Sequence, residues 1–293
     1  KIEEELMEVQ VLIAALESIL KSVAKMRGLI KSELVEAAEK YGDDRRTKIV
    51  AGGVKVLNPE DLVPDEESVL VLTQGGYVKR TNPSEYRTQK RGGVGVVDLD
   101  TKEEDFVTAL LTTSLHSDLL FFTNKGKVYS IKMYEIPEGR RATKGKSIMN
   151  FLSLTPEESV TSVLAVRKEW WDGAKDNSWE MIMVTREGIA KKVDVASFKD
   201  VRRSGLIALT LGGADALIAA RFVKKGDSVS LVTSRGQSIR FKADDDQLRP
   251  MGRATGGVRG MKFRDGDSLL SMSVIRAEQV AAVSSGLASL AVG

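Results

Sequence analysis

The sequence lacks cysteine altogether and contains a single histidine, His116. Without cysteine there can be no disulfide and no thiolate-bound metal, and a lone imidazole with no second histidine nearby makes a poor metal site. Long apolar runs are also absent, since no stretch of about 18 apolar residues is available for a transmembrane helix. These absences exclude disulfide scaffolds, zinc modules and membrane-spanning helices, and they fit a protein of the reducing cytoplasm.

The chain also has little excess of either positive or negative charge. The 293 residues include 44 basic and 41 acidic side chains, which leaves a formal net charge of +3. This excess is too small to indicate a nucleic-acid partner, so such an interpretation depends on where the basic residues lie. The hydrophobic fraction of 42% and the charged fraction of 29% are typical of globular domains. The chain begins without methionine or a signal sequence, and we expect it to be part of a longer protein.

The first 41 residues carry a helical pattern. Apolar residues recur at alternating steps of four and three, the spacing of the a and d positions of a coiled coil. They are Ile2, Leu6, Val9, Ile13, Leu16 and Leu20. The pattern is interrupted between Ser22 and Gly28 and ends at Tyr41. A surface helix packed on its own domain would give such a pattern, but we favour a helical pair or dimer arm because the seam persists for nearly three heptads. Residues 42–65 have the composition of a linker.

From residue 66 onward, short β-rich segments repeat. Each repeat has an apolar strand, a threonine, two variable residues, a glycine and a second strand. The threonine and glycine pairs are Thr73 and Gly76, Thr123 and Gly126, Thr185 and Gly188, and Thr233 and Gly236. Because glycine supplies the positive φ that closes a tight turn, each pair predicts a β-hairpin. We expect an insertion at residues 168–177 and a partial fifth repeat from Ser271.

Two further features follow each hairpin in the same order. A second glycine comes first, at Gly95, Gly145, Gly205 and Gly257. An acidic residue then precedes the final strand of the repeat, at Asp105, Glu158, Asp215 and Asp267. A four-stranded unit that recurs about every 50 residues predicts a propeller-like array. We therefore expect a mainly β fold over residues 66–293, with about four complete blades and a partial fifth, preceded by an α-helical coiled-coil segment.

Lysine and arginine gather at two places in each repeat. The set just after the hairpin comprises Lys79, Arg80, Lys125, Lys127, Lys191, Lys192, Arg235 and Arg240. The set near the second glycine comprises Lys90, Arg91, Arg140, Arg141, Lys144, Lys146, Arg202, Arg203, Arg249, Arg253 and Arg259. Any single pair is typical of a solvated turn. Eight clusters in register instead predict a continuous basic band along one rim, suited to a phosphate backbone and to bent DNA.

One segment within the first repeat is more specific. Gln89-Lys-Arg-Gly-Gly-Val-Gly95 resembles the box motif of the bacterial DNA gyrase A protein, usually written Gln-Arg-Arg-Gly-Gly-Arg-Gly. Phrases such as Phe121-Phe-Thr-Asn-Lys-Gly126 and Tyr134-Glu-Ile-Pro137 resemble the C-terminal domain of the same family. The helical part, which ends in Tyr41-Gly-Asp-Asp-Arg-Arg-Thr47, resembles the helix that leads out of the family's coiled-coil gate. The likeness extends from residue 1 to about residue 275 in the right order.

The resemblance implies a six-bladed β-pinwheel whose neighbouring blades exchange strands, here truncated. It implies that double-stranded DNA wraps around the rim with positive handedness, in support of ATP-dependent negative supercoiling. Its DNA-binding residues would be the basic residues above, with Gln89, Gly92, Gly93 and Gly95 of the box. It also implies a homodimer of gyrase A chains, a gyrase B partner and a place on the bacterial nucleoid in the cytoplasm. ATP and magnesium would be used by other domains, and the cleavage tyrosine would lie upstream, so we expect no catalytic residue, metal, cofactor or membrane contact in this chain.

The box departs from the family pattern at two positions. Lys90 replaces an arginine, which keeps the charge but loses the planar donor fork, and Val94 replaces the last basic residue. The sister family, topoisomerase IV, has a degenerate box, so the corresponding domain of that decatenating enzyme is an alternative. A protein-binding propeller scaffold is a second alternative, which would leave the basic register unexplained. Asp244-Asp-Asp246 lacks the ligand spacing of a calcium loop and is typical of a solvated turn.

Overall fold

The computed structural model describes residues 1–43, 47, 59–86, 88–95, 97–98, 105–171 and 179–278. Contacts divide the chain into two compact units, Lys1–Val56 and Leu57–Gly293. The division falls within the stretch whose composition predicts a linker. Each unit is described by itself.

Over its described residues the first unit has two helices, α1 (Ile2–Leu20) and α2 (Val23–Tyr41). The side chain of Ser22 caps α2 by accepting a hydrogen bond from the backbone N–H of Lys25. The interruption is therefore narrower than the sequence pattern predicts, since Gly28 lies inside α2. All six seam residues of α1 are at least 50% exposed, so their apolar side chains are not covered by the described part of this unit.

The second unit is built from short strands, and its described part also has two short α-helices, α3 (Pro59–Leu62) and α4 (Lys168–Trp171). In its described residues the strands are β1 (Glu67–Thr73), β2 (Tyr77–Thr81), β3 (Val107–Ser114), β4 (Asp118–Thr123), β5 (Lys127–Lys132), β6 (Lys146–Ser147), β7 (Val160–Val166), β8 (Glu180–Thr185), β9 (Ile189–Asp194), β10 (Leu206–Ile207), β11 (Leu217–Val223), β12 (Ser228–Thr233), β13 (Ser238–Lys242), β14 (Val258–Arg259) and β15 (Leu269–Ile275).

These strands form antiparallel sheets in which the last strand comes from the following repeat. The orders are β3-β1-β2-β6, β7-β4-β5-β10 and β11-β8-β9-β14, and the fourth sheet has β15-β12-β13 in the described residues. Strand β11 packs against both β7 and β15, which places this set of strands on the inner side of the blades. The exchanged strands β6, β10 and β14 therefore lie at the outer edge. The predicted propeller-like fold is confirmed, and so is the strand exchange that the resemblance implies.

Each hairpin is closed by the residues that define the repeat. The glycines after the threonines have positive φ, for example +76° at Gly76 and +79° at Gly188. The Thr185 hydroxyl accepts from the N–H of Ile189 at 3.2 Å, and the Thr233 hydroxyl accepts from the N–H of Gln237 at 3.0 Å. In these repeats the threonine side chain thus satisfies a turn amide.

The acidic residue of each repeat reaches back to the same hairpin. Asp105 accepts from the N–H of Gly75 at 2.8 Å, and Asp215 accepts from the N–H of Glu187 at 2.9 Å. Asp267 accepts from the N–H of Arg235 at 3.1 Å. In the second repeat Glu158 instead accepts from the hydroxyls of Thr123 and Tyr129, at 2.8 and 3.0 Å. The acid therefore fastens the start of the inner strand to the turn.

The core lies between neighbouring blades. Successive side chains of a strand point to opposite faces of its sheet, so Phe121 packs toward the first blade and Phe122 toward the third. Both faces of a central blade are buried, which explains why its strands are continuous apolar runs. The same alternation places Ile182 in the cluster shared with the fourth blade.

The predicted start of a fifth repeat is wrong. Ser271 lies inside β15, which pairs with β12 and completes the inner side of the fourth sheet. The sequence pattern is misleading because this apolar strand has its partner upstream. The predicted insertion begins with α4, and residues 172–178 lie outside the described residues.

Candidate nucleic-acid interface

In the second, third and fourth repeats the second glycine stands immediately before an exchanged strand. Gly145 precedes β6, Gly205 precedes β10 and Gly257 precedes β14. Because these strands pair at the outer edge of the preceding blade, the loops that lead into them lie along that edge. The basic residues of the second set are therefore carried at equivalent places on successive blades.

Glycine is required at these positions because the loop is pressed against the preceding blade. A Cβ atom on Gly145 would lie 2.7 Å from the carbonyl oxygen of Val78, and one on Gly257 would lie 2.8 Å from that of Ala190. At Gly205 the obstacle is the ring of Tyr129, at 2.5 Å. All three glycines have φ near +80°, where a side chain is strained in any case.

Most of the predicted basic residues are accessible to solvent. The exposed residues are Lys90, Arg91, Lys125, Arg140, Lys146, Arg202, Arg203, Arg235, Arg240, Arg249 and Arg259. The half-buried residues are Arg80, Lys127, Arg141, Lys144 and Arg253.

Some of these cations already have acidic partners. Lys125 lies 3.6 Å from Glu157, Lys127 lies 3.6 Å from Glu158, and Arg203 pairs with Glu135. The pairs of Lys125 and Arg203 lie on the surface and are weak, so a phosphate could compete for these cations, whereas the carboxylate that pairs with Lys127 is buried. Arg80 is held more firmly, because it donates to the carbonyl of Ile136 at 2.7 Å and lies 3.3 Å from Glu138.

Three predicted contacts are corrected by the structure. Lys79, Lys191 and Lys192 are at most 1% exposed, and their ammonium groups are bonded inside the protein. Lys192 donates to the carbonyl of Ala243 at 2.9 Å and to Asp245 at 2.7 Å. An ammonium group enclosed in this way cannot reach a DNA backbone, so these residues do not belong to the interface.

Burial and partners explain the ionisation of these lysines. Burial, with the nearby charge of Arg253, lowers the pKa of Lys191 to about 8. Burial also lowers the pKa of Lys79, against the attraction of Asp98. For Lys192 burial acts in the same direction, but hydrogen bonds to Asp245 and Glu180 raise its pKa overall.

The box forms an exposed loop closed by its own first residue. The Gln89 amide nitrogen donates to the carbonyl of Gly95 at 3.1 Å, and its oxygen accepts from the N–H of Gly95 at 2.9 Å. Gly92 and Gly95 have φ of +87° and +81°, with nothing within 4 Å of an added Cβ. Gln89 therefore fixes the shape of the loop, while Lys90 and Arg91 carry its charge.

A cleft joins the loops of the third and fourth repeats. It is lined by Arg202 and Arg253 and by the serines Ser197 and Ser204, with Asp200 at one side. Two guanidinium groups and two hydroxyls are suited to a phosphate oxygen. The structure thus brings together basic residues that are about 50 residues apart in the sequence.

The described residues contain no helix long and apolar enough to cross a membrane. Within the same ranges, no group of three or more histidine, cysteine, aspartate or glutamate residues could hold a metal ion.

These features define a propeller of strand-exchanged blades with a basic outer edge. The family described as DNA gyrase C-terminal domain, beta-propeller, matches residues 67–114, 117–167, 180–224 and 227–276. Each matched segment corresponds to one sequence repeat, and from the second repeat onward it includes the exchanged strand that completes the preceding blade. The chain therefore belongs to the DNA gyrase A C-terminal domain family.

Curated relatives agree with this assignment. The gyrase A protein of Nocardioides sp. is 47% identical over 290 residues, which are 99% of this chain and 31% of that protein. The gyrase A protein of Mycobacterium tuberculosis is 41% identical over 276 residues, which are 94% of this chain and 32% of that protein. The chain thus spans about a third of the length of these relatives.

Solved structures share the fold. The DNA gyrase A C-terminal domain superposes with a TM-score of 0.56 at 26% identity, covering 71% of this chain and 65% of that one. The C-terminal domain of DNA topoisomerase IV superposes with a TM-score of 0.59 at 26% identity, covering 73% of this chain and 62% of that one. The two superpositions are equally good, so the fold does not separate the two enzymes, whereas the relatives above are both gyrase proteins.

Proposed function

We propose that the β-pinwheel unit binds double-stranded DNA through its phosphates, with little sequence preference, and wraps it along the outer edge of the blades. In the full protein this would supply the positively wrapped segment that gyrase needs for negative supercoiling. The box loop, with Lys90, Arg91 and three glycines, would take part at the first blade.

The observation that carries the proposal is the recurrence of exposed basic residues beside the exchanged strands. Arg140 and Arg202 lie in the loops before the exchanged strands β6 and β10, and Arg259 is the second residue of the exchanged strand β14. Equivalent positions in successive blades lie side by side, so a regular polyanion can follow them. Arginine at such sites neutralises phosphates without reading bases, and the released counterions give the affinity.

The wider activity follows from family membership. We infer that the chain acts within a type II topoisomerase on bacterial DNA in the cytoplasm. Its partners there would be the gyrase B protein and a second gyrase A chain. DNA cleavage, and the ATP and magnesium that the full enzyme uses, are assigned to other domains. The chain alone should therefore form no covalent adduct with DNA and hydrolyse no ATP.

A salt titration with a plasmid assay tests the proposal. If about 6–10 phosphates are engaged, the logarithm of the binding constant should fall against the logarithm of salt concentration with a slope of about −5 to −9. Arg140→Gln with Arg259→Gln should reduce this slope by about two, while Lys31→Gln in α2 should leave it unchanged. A flat salt response would refute the proposal.

The wrap itself is measured by topology. A nicked plasmid ligated in the presence of the chain should trap a positive linking difference. Binding with a slope of about −5 to −9 but no trapped linking difference would show that the chain binds DNA without wrapping it, as expected for a decatenating relative.

A further inference from the structure

Two buried lysines occupy the same place in alternate repeats. Lys79 and Lys191 are each the third residue after the hairpin glycine, and they are 1% and 0% exposed. Burying an ammonium group costs free energy unless it is fully hydrogen-bonded. Both lysines are bonded mainly to backbone carbonyl oxygens, which is an unusual use of a buried charge.

The carbonyl groups belong largely to the loop of the next repeat. Lys191 donates to the carbonyls of Arg253 and Thr255, the latter at 3.0 Å, and to that of Ala208 at 2.9 Å. Its three donors are therefore used at once. Each bond fixes the position of one peptide group, so the ammonium holds the loop before β14 in a single conformation.

Lys79 makes the same connection two interfaces earlier. It donates to the carbonyls of Arg140 and Arg141 in the loop before β6, the former at 3.4 Å, and to that of Asp98 at 2.6 Å. At the interface between the first two blades, as at that between the third and fourth, a buried lysine thus binds backbone carbonyl groups in the loop of the next repeat. We call this set of hydrogen bonds the clasp.

The two clasped loops share a sequence that the other loops lack. They read Arg141-Ala-Thr-Lys-Gly145 and Arg253-Ala-Thr-Gly-Gly257. In both, the threonine hydroxyl donates back to a carbonyl three residues earlier, at 2.7 Å from Thr143 to Arg140 and at 2.9 Å from Thr255 to Gly252. This bond turns the peptide groups of the loop toward one point, where the lysine meets them.

The interface between the second and third blades shows the contrast. Its equivalent residue is Tyr129, which has no ammonium group, and the facing loop reads Val201-Arg-Arg-Ser-Gly205. There the tyrosine ring packs against Gly205, and the N–H of Ser130 donates to the carbonyl of Arg202 at 3.4 Å. Lysine and the Arg-Ala-Thr sequence therefore occur together and are replaced together.

We propose that Lys79 and Lys191 are positioning residues, each of which reaches from one blade to hold the arginine-bearing loop of the next in the geometry that DNA wrapping needs. The role rests on the proposed function, because the clasped loops carry Arg140, Arg141 and Arg253. The lysines act through the backbone of these loops and touch no phosphate themselves.

The test uses Lys191→Met in the whole chain, with Lys31→Met in α2 as the control that removes the same charge. The first measurement is amide hydrogen exchange without DNA. The N–H of Thr210 donates to the carbonyl of Thr255 at 3.1 Å, and that of Met251 donates to the carbonyl of Lys192 at 2.8 Å. We expect both amides to exchange about tenfold faster or more in Lys191→Met, with the amides of β8 unchanged.

The second measurement is the linking difference trapped at saturating protein. It should fall at least twofold in Lys191→Met and stay unchanged in Lys31→Met. Lys79→Met should repeat both results at the loop before β6. Faster exchange without a change in linking difference would refute the positioning role while leaving DNA wrapping intact.

The remaining outcomes are equally decisive. Unchanged exchange with a salt slope smaller by about one would mean that Lys191 itself contacts a phosphate, which overturns the proposal. Loss of folding in both lysine variants would assign the residues to stability alone and also overturn it. If the unmodified chain fails to bind DNA, the proposed function falls, and the exchange result still reports whether the clasp exists.

Discussion

The Nε2 atom of His116 lies 2.8 Å from the carbonyl oxygen of Val63. Because a carbonyl can only accept, this nitrogen carries a proton, and the only histidine in the chain fastens the segment ahead of β1 to the start of the second blade. Lys132 strengthens the same attachment, since its ammonium lies 2.7 Å from Glu60 and 3.2 Å from Asp118. The Trp171 indole nitrogen also donates to Asp118, at 2.7 Å.

Removing the cation at this attachment should loosen it. In Lys132→Met we expect the free energy of unfolding to fall by about 1–2 kcal/mol, because Glu60 and Asp118 lose a partly buried partner. Lys125→Met removes an exposed cation from the neighbouring turn and should change stability by less than about 0.5 kcal/mol. Urea denaturation of the two variants gives the comparison, and equal losses would contradict the attachment.

The acid of the fourth repeat should show its role in a pH series. Desolvation acts to raise the pKa of Asp267, but hydrogen bonds outweigh it and lower the pKa to about 2; they come from the side chains of Thr233 and Ser234 and the backbone of Ser268 and Arg235. The folded pKa is below the unfolded one, so its stabilisation is present above about pH 4 and is lost as the pH falls toward 2. The melting temperature of Asp267→Asn should therefore lie below that of the unmodified chain at pH 6, and the gap should close near pH 2. Asp265→Asn, at an exposed neighbour, should show no such closing gap.

Lys191 should make the opposite contribution at alkaline pH. Its folded pKa of about 8 lies below the ordinary 10.5, so the unfolded chain binds more protons between these values and stability rises with pH there. Between pH 7 and pH 10 the unmodified chain should gain roughly 1–3 kcal/mol relative to Lys191→Met. Chemical denaturation at both pH values measures the gain, and a constant difference would show that the ammonium is not desolvated.

Two adjacent glycines offer a test of the loop contact. Gly257→Ala should cost about 1–3 kcal/mol, because its φ is +81° and its Cβ would meet the carbonyl of Ala190. Gly256→Ala should be nearly neutral, since its nearest neighbour would be 3.5 Å away. If both substitutions cost the same, the loop is not seated on the preceding blade as described.

The box should respond to a restored basic residue. The side chain of Val94 is fully exposed, so Val94→Arg adds a cation beside Lys90 and Arg91 without repacking. We expect the salt slope of DNA binding to steepen by about 0.9 and the trapped linking difference to grow. Val94→Gln adds a polar side chain of similar reach without charge, and it should change neither quantity. Equal effects of the two substitutions would exclude a phosphate contact at this position.

Local features of the fold were predictable because they depend on neighbours in the sequence. The hairpin glycines, the threonines and the acids of the repeat all act within one blade. The exchange of strands was expected only from the family resemblance, since no local pattern shows which repeat supplies β6 or β10. For the same reason the sequence pattern assigns Ser271 to a new repeat, although its partner strand β12 lies upstream.

The candidate site was predicted less completely than the fold. Exposed residues such as Arg140 and Arg259 lie where repetition places them, but the same pattern also includes Lys79 and Lys191, because residue type does not reveal burial. A signal was nevertheless available. Both lysines stand at the third step after the hairpin glycine, where another repeat has the buried Tyr129, and each is followed one repeat later by Arg-Ala-Thr. Pairing the two observations would have separated them from the interface.

The exchanged strands also determine when each blade is completed as the chain is synthesised. The outer side of β2 stays unpaired until Lys146 and Ser147 leave the ribosome, a delay of several seconds at about 5–20 residues per second. An unpaired strand edge can recruit other chains. During synthesis the blade made last is thus the one with an unpaired outer strand edge, and it is the one most prone to aggregate. Each further repeat covers that edge and exposes its own.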